Sequence, residues 1–184
     1  MRPRGKALIA ADVPLSLAQR AAAVRLLLLD VDGVLTDGRI TYMADGVELK
    51  SFHVRDGSGI VYWQKLGGRT AIISGRTSKA VDVRAAELGI SVVVQGSRDK
   101  RAALDRVLDA NGMRASEACA VGDDLPDLPL LRTCGFAVAV ADACSEVRAA
   151  AHYVTQAAGG CGAVREVVEL LLRAQGRWAE LVGT

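Results

Sequence analysis

Apolar residues in this chain come in short blocks, and the blocks alternate between two rhythms. Val24 to Leu29 (broken only by Arg25), Thr70 to Ile73, Ile90 to Val94, Ala118 to Val121, Phe136 to Val140 and Tyr153-Val154 are brief, near-continuous runs. Runs of that length read as strands buried on both faces of a parallel sheet. Between them the spacing turns helical. A helix from Ser58 has Ile60, Val61, Trp63 and Leu66 on one face and stops at Gly67-Gly68. Others run from Lys79 to Leu88 with Thr77 or Ser78 as N-cap, from Asp99 to Ala110 with Asn111-Gly112 as the stop, from Ser145 to Ala151 and from Val164 to Ala174. A helical lead-in capped by Ser16 precedes Val24. One stretch breaks the alternation: Arg39 to Met43 and Val47 to Val54 are strand-like around Ala44-Asp45-Gly46, which is a hairpin signal.

Strands alternating with helices predict an α/β fold, a doubly wound parallel sheet with right-handed crossovers, here with a small β-hairpin insertion. No repeat or linker divides the chain, so the expectation is one domain over 1–184, with a core of about 24–175 and a tail over 176–184. In such sheets ligands bind beyond the carboxyl ends of the strands. The first strand ends in Asp30-Val31-Asp32-Gly33-Val34-Leu35-Thr36-Asp37-Gly38. Two carboxylates at a buried strand end repel each other and resist desolvation unless a cation or a proton compensates. Just past the strand the loop can aim Asp30 and Asp32 at different partners.

Composition narrows the function classes. The 184 residues are 51% hydrophobic with a net charge of +2, and no basic stripe carries interleaved aromatics, so nucleic-acid binding is not suggested. No apolar run approaches the roughly 18–20 residues of a membrane span. Arg2, Arg4 and Lys6 before Ala7 to Ala11 look faintly like a leader, but Asp12 and Pro14 cut the apolar region short, and the expectation is a soluble cytoplasmic protein. Cys119, Cys134, Cys144 and Cys161 form no C-x-x-C pair and read as inert thiols.

Other strand ends complete a set. Ser74, followed by Gly75 and Arg76, ends the second core strand; Asp123 and Asp124 end another; Lys100 opens a helix. Each has an ordinary explanation alone, as a turn, a cap or a solvated charge. Brought to one sheet edge they suit phosphoryl transfer. Mg²⁺ keeps several waters and needs few carboxylates, which Asp30 and Asp123 can supply with the Asp32 carbonyl as a third ligand. Asp30 can attack phosphorus, Asp32 can protonate the leaving alcohol and later deprotonate water, and Ser74 and Lys100 can hold the phosphoryl oxygens.

The Asp30 to Gly38 segment resembles the first motif of the haloacid dehalogenase-like phosphatases, with Ser74, Lys100 and Gly122-Asp123-Asp124 resembling the other three in order. The resemblance implies a Rossmannoid core and the roles just given. The hairpin and ordinary βα units fill the intervals between the motifs, so the chain is similar to capless members. Phe52 to Gly57, Gly75-Arg76 with Arg84, Val138 to Ala143 and Gly159 to Glu166 together resemble the 3-deoxy-D-manno-octulosonate 8-phosphate phosphatases. That resemblance implies a Mg²⁺-dependent homotetramer making the sugar acid of lipopolysaccharide. It implies substrate contacts through Asp32, His53, Val54, Arg55, Asp56, Gly57, Arg76, Arg84 and Lys100, with Gly75, Asp124, Gly160 and Gly162 in support, and a C-terminal tail, carrying Trp178 and Leu181, near a neighbouring active site. Arginines suit a substrate that carries both carboxylate and phosphate. Cys161 stands where the glycine-rich turn usually has a basic residue.

Two functional alternatives share these features. A phosphatase for a nine-carbon sialic-type acid 9-phosphate would keep every motif. A receiver-type signalling domain also uses strand-end aspartates, Mg²⁺, a Ser/Thr and a Lys, but its acceptor Asp belongs on the third strand, which here ends in Gln95-Gly96-Ser97. A non-catalytic member of the fold is disfavoured by the full set of polar strand-end residues.

Overall fold

The structure, a computed structural model, describes residues 15–183. The leader-like segment from Arg2 to Ala11 therefore lies outside the described residues. Helix α1 (Leu17–Ala22) is capped by Ser16, whose Oγ accepts from the Gln19 amide at 3.3 Å. Strand β1 (Leu26–Leu29) follows, four leucines that are all buried. The hairpin β2 (Thr41–Tyr42) and β3 (Glu48–Leu49) comes next, then helix α2 (Val54–Lys65), strand β4 (Arg69–Ile73), helix α3 (Lys79–Glu87), strand β5 (Val92–Val94) and helix α4 (Lys100–Asn111). Strand β6 (Ala118–Gly122), helix α5 (Leu128–Leu131), strand β7 (Phe136–Ala139), helix α6 (Ser145–Ala150), strand β8 (Tyr153–Val154), helix α7 (Ala163–Ala174) and the short helix α8 (Ala179–Val182) complete the order.

Six strands form one sheet in the order β5-β4-β1-β6-β7-β8, and every neighbouring pair is parallel. Strand β1 sits at the switch point between the two directions of winding, which is where such sheets open a crevice. Helices α1, α2 and α7 pack together, while α4, α5 and α6 pack together on the other side. Helix α7 buries Val164, Val167, Val168, Leu171 and Leu172, one stripe at helical spacing. The intervals between β1 and β4 and between β4 and β6 hold only the hairpin and βα units, with no cap domain among the described residues.

The largest departure from expectation is at the start of α2. The strand expected to reach Val54 ends at Leu49, and the helix expected from Ser58 begins at Val54, with the His53 Nδ1 accepting from the Arg55 amide at 3.2 Å as its cap. Gly57 and Gly59 make the segment look like a loop. They are helical all the same, and they are glycines because neighbours need the room: a Cβ on Gly57 would lie 2.2 Å from the Arg84 guanidinium, and one on Gly59 would lie 3.2 Å from the Arg165 backbone.

Candidate active site

The polar residue after β1, Asp30, is only 8% exposed. Its loop is wound tightly, because the Val31 carbonyl accepts from the amides of Leu35 at 2.9 Å and Thr36 at 3.0 Å. Gly33 turns the chain at φ 88°, and a Cβ there would lie 2.1 Å from an oxygen of Asp123. The loop is braced from behind by the glycine-rich turn near the C-terminus. The Gly160 amide donates to the Val34 carbonyl at 2.9 Å, the Gly159 amide donates to Asp142 at 2.9 Å, and a Cβ on Gly159 would lie 1.7 Å from the Gly33 carbonyl oxygen.

Strand β6 delivers Asp123 and Asp124 beside that loop. Four residues past Asp123, Asp127 turns back. One of its carboxylate oxygens accepts from the amides of Asp123 (3.0 Å) and Asp124 (3.4 Å), and the other accepts from Lys100 Nζ at 2.6 Å. Lys100 also reaches Asp30 at 3.0 Å and is 4% exposed. Asp127 is not among the residues expected at the site. Its only signal was a further carboxylate in the loop after β6.

Oxygens of Asp30, Asp123 and Asp127 lie within 4.8 Å of one another. Three carboxylates thus face one lysine. Burial first, then the charge of Asp127, raises the Asp30 pKa to about 6. Burial, then Asp127 and Asp30, raises that of Asp123 to about 8. Burial works against the Lys100 charge, but Asp30 and Asp127 outweigh it and raise its pKa. Asp123 Oδ1 is buried with no hydrogen-bond partner. A buried acceptor without a donor, in a cluster with surplus negative charge, is the donor set of a hard divalent cation. Both oxygens of Asp127 are occupied, which leaves Asp30 and Asp123 as the side chains able to ligate it.

Asp32 looks the other way. Its carboxylate pairs with Lys50 and lies 3.4 Å from Arg76 Nε. Glu48 accepts from Arg76 at 2.5 Å and lies 3.6 Å from Lys50. Lys50 and Glu48 were not foreseen. At the end of β4, Ser74 is 3% exposed and its Oγ accepts from the Arg76 amide at 3.3 Å. Asp30, Asp32, Ser74, Gly75, Arg76, Lys100, Asp123, Asp124 and Asp127, with Gly38 and Pro126, line one cavity of about 300 Å³.

The rest of the expected site is elsewhere. His53, Val54, Arg55, Asp56, Gly57 and Arg84 do not line that cavity. Val54 is 77% exposed, and Arg84 pairs with Glu87 at 3.1 Å and lies over the Phe52 ring. The Asp56 carboxylate, 1% exposed, accepts from the amides of Arg165 at 2.8 Å and Gly162 at 3.2 Å. It caps α7, whose own N-cap Gly162 has no side chain to do so. Burial raises its pKa against the pull of those two bonds. A carboxylate committed in this way has a structural task, which accounts for its absence from the cavity.

The profile of the haloacid dehalogenase-like hydrolases matches residues 77–167. Over 164 residues the chain is 47% identical to the 3-deoxy-D-manno-octulosonate 8-phosphate phosphatase KdsC of Escherichia coli strain K12, covering 89% of this chain and 87% of that protein. This chain belongs to the 3-deoxy-D-manno-octulosonate 8-phosphate phosphatases of the haloacid dehalogenase-like family. Solved structures agree. The phosphatase of that name from Moraxella catarrhalis, in complex with magnesium, phosphate and KDO, matches with a TM-score of 0.88 at 44% identity, over 90% of this chain and 95% of that one. The cobalt-bound deoxy-D-mannose-octulosonate 8-phosphate phosphatase from Haemophilus influenzae matches with a TM-score of 0.87 at 39% identity, over 90% and 96%. Family membership removes the receiver-type alternative.

Proposed function

We propose that this chain is a Mg²⁺-dependent phosphatase that hydrolyses 3-deoxy-D-manno-octulosonate 8-phosphate to the free sugar acid and phosphate. The observation that carries the reading is the acidic pair of buried Asp30 and half-buried Asp123, with its enclosed, unpartnered Asp123 oxygen and with Lys100 alongside, in a chain 47% identical to a phosphatase of that substrate. Asp30 and Asp123, with the Asp32 carbonyl, would hold Mg²⁺, which when bound offsets the repulsion between these carboxylates and the phosphate. Asp30 attacks phosphorus, and the bond from phosphorus to the sugar oxygen breaks. Asp32 gives its proton to the departing alkoxide. A water then attacks the aspartyl-phosphate, Asp32 takes the proton from it, and Asp30 leaves with its electron pair. Lys100 and Ser74 hold the phosphoryl oxygens as charge develops on them.

The position of the remaining residues supports a homotetramer. His53 to Arg55 and Arg84 lie outside the cavity of their own chain, with Asp56 and Gly57 buried beneath them, so the proposed contact of this segment with substrate is to a neighbour's. The hairpin and the start of α2 carry Ile40, Tyr42, Met43, Val47, Leu49 and Val54, all at least about half exposed. An apolar patch of that kind marks a contact surface. The C-terminal tail is tethered to its own chain: Trp178 lies 5.2 Å from Arg165 and 5.0 Å from Arg173, and Arg177 donates to the Leu66 carbonyl. Leu181 packs against the same core and Glu180 pairs with Arg177, so a reach toward a neighbouring site falls to the residues after Leu181. Among the described residues no helix is long and apolar enough to cross a membrane, which fits work in the cytoplasm on a soluble sugar phosphate.

Phosphate release is the test, from the eight-carbon 8-phosphate and from a nine-carbon acid 9-phosphate, with Mg²⁺ and with EDTA. Turnover of the former with Mg²⁺, lost in EDTA and in Asp30→Asn, is expected. Preference for the nine-carbon compound would move the substrate, and no turnover of either by folded protein would sink the proposal.

A further inference from the structure

Lys50 is the least ordinary charge in the molecule outside the carboxylate cluster. It follows the hairpin strand β3, yet its side chain is 2% exposed and its ammonium is paired with the carboxylate of Asp32. Glu48, two residues earlier and so on the same face of the strand, lies 3.6 Å from that ammonium and accepts from Arg76 at 2.5 Å. Arg76 Nε completes the ring at 3.4 Å from Asp32. Two carboxyl groups and two basic side chains close on one another, which is what allows a lysine to be enclosed there. The arrangement runs against the usual economy of a hairpin. Val47 and Leu49 are about half exposed, while Glu48 and Lys50 face inward.

We propose that Lys50 is a positioning residue for Asp32: it anchors that carboxylate on the hairpin side of the cavity, at the distance and angle from which it serves the leaving oxygen, and Glu48 holds Lys50 in place. A carboxylate at the end of a short side chain on a glycine-bounded loop has several rotamers, and proton transfer needs one of them. Arg76 is 41% exposed in its side chain, lies farther from Asp32 than Lys50 does and lines the cavity an anionic substrate would enter, so it is the poorer fixed anchor. Lys50 is enclosed and has no such freedom. The hairpin thereby becomes part of the catalytic machinery as well as a contact surface.

The inference rests on the reading of Asp32 as general acid, and the test separates the two. Measure kcat/KM for the sugar 8-phosphate, whose alkoxide leaving group needs a proton, and for p-nitrophenyl phosphate, whose phenolate does not. The parameter reports steps up to departure of the leaving group, and the ratio of the two values cancels any loss of folded protein. Lys50→Met is expected to lower kcat/KM on the sugar phosphate by roughly 30-fold while changing the aryl ester by less than about threefold. Lys50→Arg should restore part of the ratio. Asp32→Asn should show the same selectivity, more strongly. Equal losses on both substrates in Lys50→Met, beside a selective loss in Asp32→Asn, would show that Lys50 merely supports the fold and would overturn the proposal alone. Equal losses in Asp32→Asn would overturn the reading of Asp32 and this proposal with it.

Discussion

The strain in the carboxylate cluster makes stability depend on pH in an unusual direction, and Mg²⁺ should reverse it. Asp123 and Asp30 have pKa values raised to about 8 and about 6 from an ordinary 3.8. Between about pH 4 and these values the folded protein binds more protons than the unfolded chain. Stability in the absence of metal must therefore fall as pH rises through that window. From about pH 5 to about pH 8 the full conversion, at about 1.4 kcal/mol per unit, would be about 5 kcal/mol. Asp123 is partly open to solvent and each carboxylate counts the other's charge, so about 2–3 kcal/mol is the reasonable figure. For a chain of this length that is a drop in Tm of about 4–12 °C. Excess Mg²⁺ replaces the protons and should remove most of the drop, so its stabilising effect should be much larger at pH 8 than at pH 5. Thermal melts followed by circular dichroism, in EDTA and in Mg²⁺ at both pH values, measure this. A metal-free Tm that stays flat or climbs with pH, or a Mg²⁺ effect of equal size at both, would refute the reasoning.

Two substitutions probe the supports of the cluster. Asp127→Asn places an amide where one side faces Lys100 and the other faces the amides of Asp123 and Asp124, all of them donors, so one donor loses its acceptor. It should cost about 1–3 kcal/mol by urea denaturation in Mg²⁺, and, with one anion fewer, the metal-free fall of Tm with pH should become shallower. Gly159→Ala puts a methyl into the Gly33 carbonyl, where only backbone can yield. It should destabilise by about 1–3 kcal/mol and lower kcat more than tenfold, while a substitution at Gly46, where added atoms meet nothing and an Asn tolerates the φ of 85°, should leave kcat near wild type.

The sheet was legible because its strands are buried on both faces. Leu26 to Leu29 needs no partner in view to be read as an interior strand, and the acids behind it then have only one place to be. Ser74, Lys100 and Asp123 followed from the same logic of strand ends and helix starts. The hairpin was legible as a hairpin but not in its polarity. Val47-Glu48-Leu49-Lys50 has the alternation of an amphipathic strand, and the ordinary inference buries valine and leucine; here the charged pair is inside, because the interior it meets is a carboxylate rather than a core. Gly57 and Gly59 hid the first turns of α2, since the demand they meet comes from Arg84 and Arg165, far along the chain. Asp127 precedes α5, an ordinary place for an acid at a helix start, and only the position of Lys100 gives it a second task. Asp56 was placed with the substrate by resemblance, whereas its partners are amides of α7.

The brace behind the nucleophile loop also sets an order of events. Residues 30–38 leave the ribosome before the turn that braces them, and their strand can begin to pack as soon as its neighbours arrive. Their final shape, though, depends on Gly159 and Gly160, and that turn is in turn secured by Asp142 and by the start of α7. Synthesis is vectorial and slow beside local folding. A growing chain therefore carries the complete set of acids on β1 and β6 for some time before the turn that shapes their cradle exists. The loop therefore waits on a turn more than 120 residues downstream, and a chain cut before Gly159 is expected to lack phosphatase turnover.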